Sequence, residues 1–146
     1  PLPLSHDATS PSGFVIKGKD ETILYMTDTG YVSQKNMEYI KNLDYYIFES
    51  NHDIEMLMNT RRPLFLKNRI FGDKGHLNNE YSAHVMAQVI GENTKEICLA
   101  HLSEEANTKE MALDTYQRVF DEEHIYFDNI KIADQKEIVS GGHYEN

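Results

Sequence analysis

The nine residues at positions 22–30 constrain the fold of this chain most. The run Thr-Ile-Leu-Tyr-Met at 22–26 is rich in β-branched and aromatic residues, and such side chains favour a half-buried strand. It passes directly into Thr-Asp-Thr-Gly at 27–30, whose residue types favour a turn. The sequence therefore predicts a carboxylate, Asp28, at the tip of a strand, where functional groups are often held. A plain turn without chemistry explains a lone Asp-Thr-Gly equally well.

Strands alternate with helices along most of the chain, which predicts one α/β domain, with one sheet flanked by helices, over residues 1–146. After an extended edge at 1–5, the expected strands lie at 14–17, 22–27, 44–48, 94–100, 129–133 and 136–139. The expected helices lie at 33–42, at 54–58, after Asn78 or Asn79 and at 108–120, with Ser33 as one N-cap and a break at 63–66. The strands on either side of the turn at 18–21 are expected to pair antiparallel.

The charge of the chain is unevenly distributed. Its net charge is −10, which argues against non-specific binding to nucleic acid. Positions 61–74 nevertheless carry Arg61, Arg62, Lys67, Arg69 and Lys74 with one acid between them. This basic stretch is either a local phosphate-binding patch or a solvated loop whose long side chains cover apolar surface.

Composition also bears on where the protein works. No apolar run approaches about 18 residues, so no membrane span is expected. The single cysteine, Cys98, lies in an apolar run and is expected to be a small buried hydrophobe. Without a disulfide framework the sequence fits a reducing, cytoplasmic setting. The chain lacks an initiator Met and opens on a strand-like edge, so we expect the protein to begin upstream.

Histidines and carboxylates recur where predicted strands end. Ligands gather at strand tips in an open α/β sheet, and neutral imidazole and carboxylate are the usual ligands of zinc and related divalent ions. A single histidine of this kind is more often structural, but several at one edge favour a metal site. The residues in such settings are His6, Asp28, Glu49, His52 and His101, with His76 at the start of a helix.

Five of these segments, in the same order, resemble motifs of metallo-β-lactamase-fold nucleases. The segment 6–14 is similar to their third motif, a histidine followed by a turn and Pro-x-Gly-aromatic; 27–30 resembles the fourth and 99–103 the fifth. Segments 49–53 and 75–79 narrow the resemblance to the YycJ/WalJ group of bacterial metallo-hydrolases, relatives of ribonuclease Z. The resemblance runs from about His6 to Leu113.

The resemblance implies a role for each of these residues. His6 and His101 would each bind one of two divalent metal ions, zinc or manganese, and Asp28 would bridge both. Such a pair activates a shared water as a bridged hydroxide for in-line attack on a phosphodiester. His76 would act beside the scissile phosphate as an acid or charge stabiliser. Glu49 and His52 would orient the ligands through hydrogen bonds, and substrate would contact Arg61, Arg62, Lys67, Arg69 and Asn79.

The family's His-x-His-x-Asp-His motif, which supplies four ligands, does not occur in this chain. In the family it lies upstream of the segment that resembles His6. The resemblance therefore implies the C-terminal half of an αββα sandwich, with a metal site too incomplete to bind strongly. Such a half would expose an apolar sheet face, so the expected partner is the N-terminal half or a second copy. Asn78 also stands where the group usually has Ser, and Ala106 where it often has Asn.

Three hypotheses follow. The first is a metal-dependent phosphodiesterase acting on nucleic acid, namely a DNA exonuclease, with RNA as a second candidate substrate. This chain by itself would be inactive or nearly so. The second is a hydrolase of the same fold for a small substrate, such as a cyclic phosphodiester or a thioester. The third is a non-catalytic binding or structural module.

Overall fold

The computed structural model describes residues 1–7, 9 and 12–142, so the end of the chain at 143–146, where fraying is expected, lies outside it. The described strands are β1 (Leu2–Pro3), β2 (Ser12–Lys17), β3 (Thr22–Met26), β4 (Tyr45–Glu49), β5 (Glu96–Ala100) and β6 (Ile130–Ile132). The described helices are α1 (Gln34–Tyr39), α2 (Ile54–Asn59), α3 (Leu64–Phe71), α4 (Asn79–Val89) and α5 (Lys109–Glu122).

The six strands form one sheet in sequence order. β2 pairs antiparallel with both β1 and β3, as predicted for β2 and β3, and each later pair is parallel. The strands β1, β3, β4, β5 and β6 therefore point the same way and end at one edge of the sheet. We call this the carboxyl edge. None of the described helices is long and apolar enough to cross a membrane.

One face of the sheet packs against helices. On this face Leu24, Met26, Phe48 and Leu99 are fully buried, because alternate strand residues point to the same side. The apolar sides of α1, α4 and α5 complete the core. Ser33 and Asn78 cap α1 and α4 through side-chain oxygens, as predicted.

The opposite face is largely uncovered. The strand register aligns its apolar side chains in two adjacent rows. Phe14, Ile16 and Tyr25 are 46%, 56% and 44% exposed, and residues 139–142 line a cavity of about 360 Å³ over part of the rest. Cys98 lies on this face and is only half-buried, so the prediction of a buried cysteine is wrong. The open sheet face comprises Phe14, Ile16, Ile23, Tyr25, Tyr45, Ile47 and Cys98.

Two predicted boundaries are wrong for local reasons. Residues 64–66, expected to be a break, begin α3 directly after Pro63. Proline has a φ that suits the start of a helix and needs no N–H partner there. Residues 136–139 form no strand, because the Asp134 side chain accepts hydrogen bonds from the N–H groups of Lys136 and Glu137 and holds a turn.

Candidate metal centre

Four chemical groups converge because the strands that carry or precede them all end at the carboxyl edge. His6 follows β1, Asp28 follows β3, Glu49 ends β4 and His101 follows β5. Asp28 and His101 adopt left-handed backbone conformations, with φ of 57° and 60°. This conformation is unfavourable for residues other than glycine and is concentrated at functional sites. Both residues turn sharply at the strand tip.

His76 reaches the same place from the loop before α4. The neighbouring Gly75 carbonyl accepts a hydrogen bond from His6 Nδ1 at 2.9 Å, which ties this loop to the end of β1. A Cβ at Gly75 would lie 2.1 Å from the carbonyl oxygen of Ile70. Only glycine permits this close approach, so the contact between the loop and β1 depends on it.

Glu49 is the buried centre of the cluster. Its Oε1 accepts from His76 Nδ1 at 2.8 Å and from His101 Nδ1 at 2.7 Å. Its Oε2 accepts from the N–H groups of Thr29 and Leu77, at 3.1 and 3.2 Å. Two oxygens with four acceptor positions therefore meet four donors, and the carboxylate is fully occupied.

Charge reinforces this arrangement. Burial alone would raise the pKa of Glu49, but the hydrogen bonds from His101 and His76 outweigh it and set the pKa at about 2. Glu49 is therefore ionised at neutral pH. The same hydrogen bond raises the pKa of His101, because imidazolium is favoured beside a carboxylate.

The hydrogen-bond partners fix which nitrogen of each neutral histidine carries the hydrogen. Ionised Glu49 and the Gly75 carbonyl only accept, so the Nδ1 atoms facing them must donate. In His6, His76 and His101 this leaves Nε2 with a free lone pair. Nε2 is thus the atom through which each could bind a cation.

Asp28 lies between the histidines. Its Oδ1 is 3.9 Å from His6 Nε2 and 3.7 Å from His101 Nε2, and 3.9 Å from His76 Nδ1. Ligand atoms of Asp28, Glu49, His76 and His101 all lie within 4.8 Å of one another. His6 and His101 thus present Nε2 lone pairs to one carboxylate oxygen, which suits a divalent cation, because zinc and similar ions take these donor types. The donor set therefore fits a metal.

His52 lies apart from this cluster. It is 1% exposed, its ring packs edge-on against Phe71, and burial lowers its pKa to about 4. The ring contacts Asn51 Oδ1 at 3.2 Å, and Asn51 donates to the His101 carbonyl at 2.8 Å. The Asn51 side chain therefore links the His52 ring to the backbone of His101.

The predicted substrate residues separate into two groups. Arg62 and Arg69 line a cavity of about 340 Å³ with His6, His76 and Lys74, whereas Arg61 and Lys67 do not line it. Lys67 instead donates to the carbonyl of Met58 at 2.6 Å. Lys74 belongs to the basic stretch but was not among the predicted substrate residues, and it also lines this cavity.

Asn79, the fifth predicted substrate residue, belongs to the core. It is 1% exposed and accepts from Ser50 Oγ at 2.6 Å. It also exchanges hydrogen bonds with Asn107, which in turn donates to the carbonyl of Ser50. Each polar atom of the Asn79 side chain has a partner inside the protein, so Asn79 supports the end of β4 instead of facing a ligand.

The 340 Å³ cavity adjoins two others along the carboxyl edge. It shares His6 and Lys74 with a cavity of about 370 Å³. On the other side it shares Arg62, His76 and Glu105 with a cavity of about 350 Å³ that reaches His101. We call these three adjoining cavities the edge groove, and the 340 Å³ cavity between the other two its central cavity. It runs past all three histidines of the cluster.

A half-buried sheet, one helical layer and a histidine–carboxylate cluster at the strand tips are features of a metallo-β-lactamase fold. The chain belongs to the β-lactamase superfamily: the family model described as "Beta-lactamase superfamily domain" matches residues 1–102. The predicted resemblance and the predicted fold class are both confirmed.

Relatives agree with this assignment. The chain is 44% identical over 119 residues to "Exodeoxyribonuclease YycJ" of Bacillus anthracis, covering 82% of this chain and 45% of that protein. It is 43% identical over 109 residues to "Exodeoxyribonuclease WalJ" of Streptococcus pneumoniae serotype 2, covering 75% and 40%. The chain thus spans less than half the length of these curated relatives.

A solved structure supports the fold alone. The metallo-β-lactamase fold protein YhfI from Bacillus subtilis matches with a TM-score of 0.63 at 18% identity, over 90% of this chain and 44% of that one.

Proposed function

We propose that this chain is part of a metal-dependent phosphodiesterase that cleaves nucleic acid, with DNA as its substrate. One observation carries the proposal: His6 and His101 direct Nε2 atoms towards the same oxygen of Asp28, while hydrogen bonds hold their Nδ1 atoms. These three residues would hold two divalent ions, zinc or manganese. When bound, such ions make water a nucleophile at neutral pH and offset phosphate charge.

The chain's own residues supply orientation and proton handling. Glu49 holds the His76 and His101 rings through their Nδ1–H groups, and buried hydrogen bonds of this kind fix the direction of a ligand. When protonated, His76 would donate from Nε2 to a phosphate oxygen or a leaving group. The carbonyl of Gly75 fixes His6 in the same way.

The edge groove favours an extended substrate over a small one. Three adjoining cavities pass the histidines in series, and a polymer can occupy them together. Arg62, Arg69 and Lys74 supply positive charge in the central cavity, which suits a phosphate backbone. The names of the two exodeoxyribonuclease relatives make DNA the first substrate to test.

The whole activity requires more than these residues. Three ligands shared between two ions bind metal weakly. We propose that the other ligands come from the part of the relatives' length that this chain does not cover, and that the protein works in the cytoplasm. By itself the chain is expected to be inactive or weakly active.

Metal binding is the first test. Manganese or zinc is expected to raise the midpoint of thermal unfolding of this chain, because an ion bound only to the folded state stabilises it. Asp28→Asn should remove that response, since the shared carboxylate is lost. His84→Gln, a change at a half-buried position of α4 beside Glu80 and Glu123, is the control and should retain it. An equal response in both variants would contradict the assignment of Asp28. No response even with the relatives' N-terminal half supplied would favour a non-catalytic module.

Binding to DNA distinguishes the polymer substrate from a small one. The affinity of this chain for single-stranded DNA is expected to fall with salt, with a log–log slope of about −0.7 for each phosphate contacted. Arg62→Gln with Arg69→Gln should weaken binding and flatten that slope by about one unit or more.

The control pair is Arg61→Gln with Lys67→Gln, which removes the same charge outside the central cavity. It should leave the slope nearly unchanged. Salt-independent or undetectable binding would instead favour a small substrate in the same fold.

A further inference from the structure

Both arginines of the central cavity already have anionic partners. Arg62 Nε donates to Glu105 Oε2 at 2.8 Å, and Arg69 pairs with Asp7. Glu105 and Asp7 line the same cavity as the arginines. In the described part of the chain, no hydrogen bond or ion pair engages the Lys74 ammonium. Among the described side chains, a phosphate that enters this cavity therefore meets the free ammonium of Lys74 and two arginines that are already paired.

The Arg62–Glu105 pair occupies a junction in the edge groove. Both residues line the central cavity and the cavity that reaches His101, as does His76. Arg62 lies between α2 and α3, and Glu105 lies between β5 and α5. The pair therefore joins two loops across the route that an extended substrate would follow beside His76.

The loop that carries Glu105 is held independently of this pair. Ala106, next to Glu105, is fully buried, and its carbonyl accepts from the N–H of Asp53 at 2.9 Å. Its own N–H donates to Ser103 Oγ at 3.2 Å. The Glu105 side chain is 63% exposed. It can therefore leave Arg62 and turn into solvent while the backbone stays in place.

Exchange of the Glu105 carboxylate for a phosphate is physically reasonable. An exposed ion pair contributes little net stability, so little is lost when Glu105 departs. Arginine binds phosphate oxygens through paired, charge-assisted N–H groups. The guanidinium stays paired throughout, because one anion replaces another.

We propose that Glu105 is a displaceable anion that holds Arg62 until a substrate phosphate takes its place. The Glu105 carboxylate thereby determines how tightly an anion must bind before it occupies the edge groove beside His76. A weakly bound anion displaces it only at high concentration, whereas a strand that also engages Lys74 displaces it at a lower one. This inference rests on the proposed function, because it assigns that site's phosphate contact and its regulation.

The experiment measures binding of inorganic phosphate by the NMR signal of the Arg62 Nε–H group, at constant ionic strength. Glu105→Gln is expected to raise phosphate affinity about two- to fivefold, the range that an exposed ion pair accounts for. Arg62→Gln combined with Glu105→Gln should abolish this gain, measured through the Lys74 side-chain signals. Because Glu105 is exposed, its substitution leaves the fold intact.

Glu104→Gln is the matched control. It removes the same charge from the adjacent exposed residue, whose 3.8 Å ion pair is with Lys136. An equal gain in Glu104→Gln would reduce the effect to net charge and overturn the proposal. So would an unchanged or weaker affinity in Glu105→Gln, or a gain that persists without Arg62. Because the probe is inorganic phosphate, these outcomes are read separately from the tests of metal response and DNA binding, which decide the proposed function.

Discussion

Glu49→Gln is expected to lower the free energy of unfolding by about 3 kcal/mol, since a buried, charge-assisted hydrogen-bond network loses its acceptor. Glutamine offers one acceptor oxygen and directs an amide N–H₂ group towards groups that also donate. The rings of His76 and His101 would lose their common partner. The same substitution should therefore also remove the stabilisation by manganese or zinc.

Urea unfolding followed by far-ultraviolet circular dichroism, with and without the metal, measures both effects. Glu96→Gln is the matched control: Glu96 is 7% exposed but pairs with Lys131 at 2.9 Å, away from the histidines. It should lower stability and leave the metal response intact. Loss of the response in both variants, or retention in both, would contradict the role given to Glu49.

The open sheet face is expected to drive self-association of this chain when no other partner covers it. Apolar side chains aligned in adjacent rows bury each other's surface on contact, which is favourable by about 25 cal/mol for each Å². Sedimentation velocity over a range of concentrations should reveal a dimer or larger species. Ile16→Gln with Tyr25→Gln should shift the chain to a monomer.

Tyr39→Gln with Leu64→Gln is the control, because it removes two exposed apolar side chains from helices α1 and α3. Association should persist in that variant. A monomeric unsubstituted chain that also fails to bind a dye for exposed apolar surface would contradict the prediction. If both variants were monomeric, association would depend on the total exposed apolar surface and not on the open sheet face.

The sequence predicted best what local patterns determine. The run at 22–26 and its antiparallel partner became β3 and β2, because both the alternation and the turn are local. Asp28, Glu49 and His101 were placed at strand tips, and the parallel pairing of β3, β4 and β5 then brought the tips together. Their convergence could be anticipated because the carboxyl ends of parallel strands share one edge.

The side-chain directions that the sequence could not predict are determined by packing between distant segments. Asn79 has the residue type of a ligand-binding group, but the turn into α4 directs it towards Asn107 and away from the groove. The sequence of the basic stretch could not show that Arg69 lines the central cavity and Lys67 does not, although both lie on α3. The sequence around Glu105 could not predict its partner, because the pairing with Arg62 depends on two loops that are distant in sequence.

The brevity of β1 has a consequence for affinity. This strand has two residues, paired with β2 at Leu2–Gly13 and Pro3–Ser12, and proline offers no N–H to the ladder. His6 thus follows the shortest of the strands that end at the carboxyl edge. If β1 is docked for only a fraction of the time, the apparent dissociation constant of any ion that needs His6 rises by the inverse of that fraction. Contacts that hold β1 in place would then act as determinants of affinity without touching the ion.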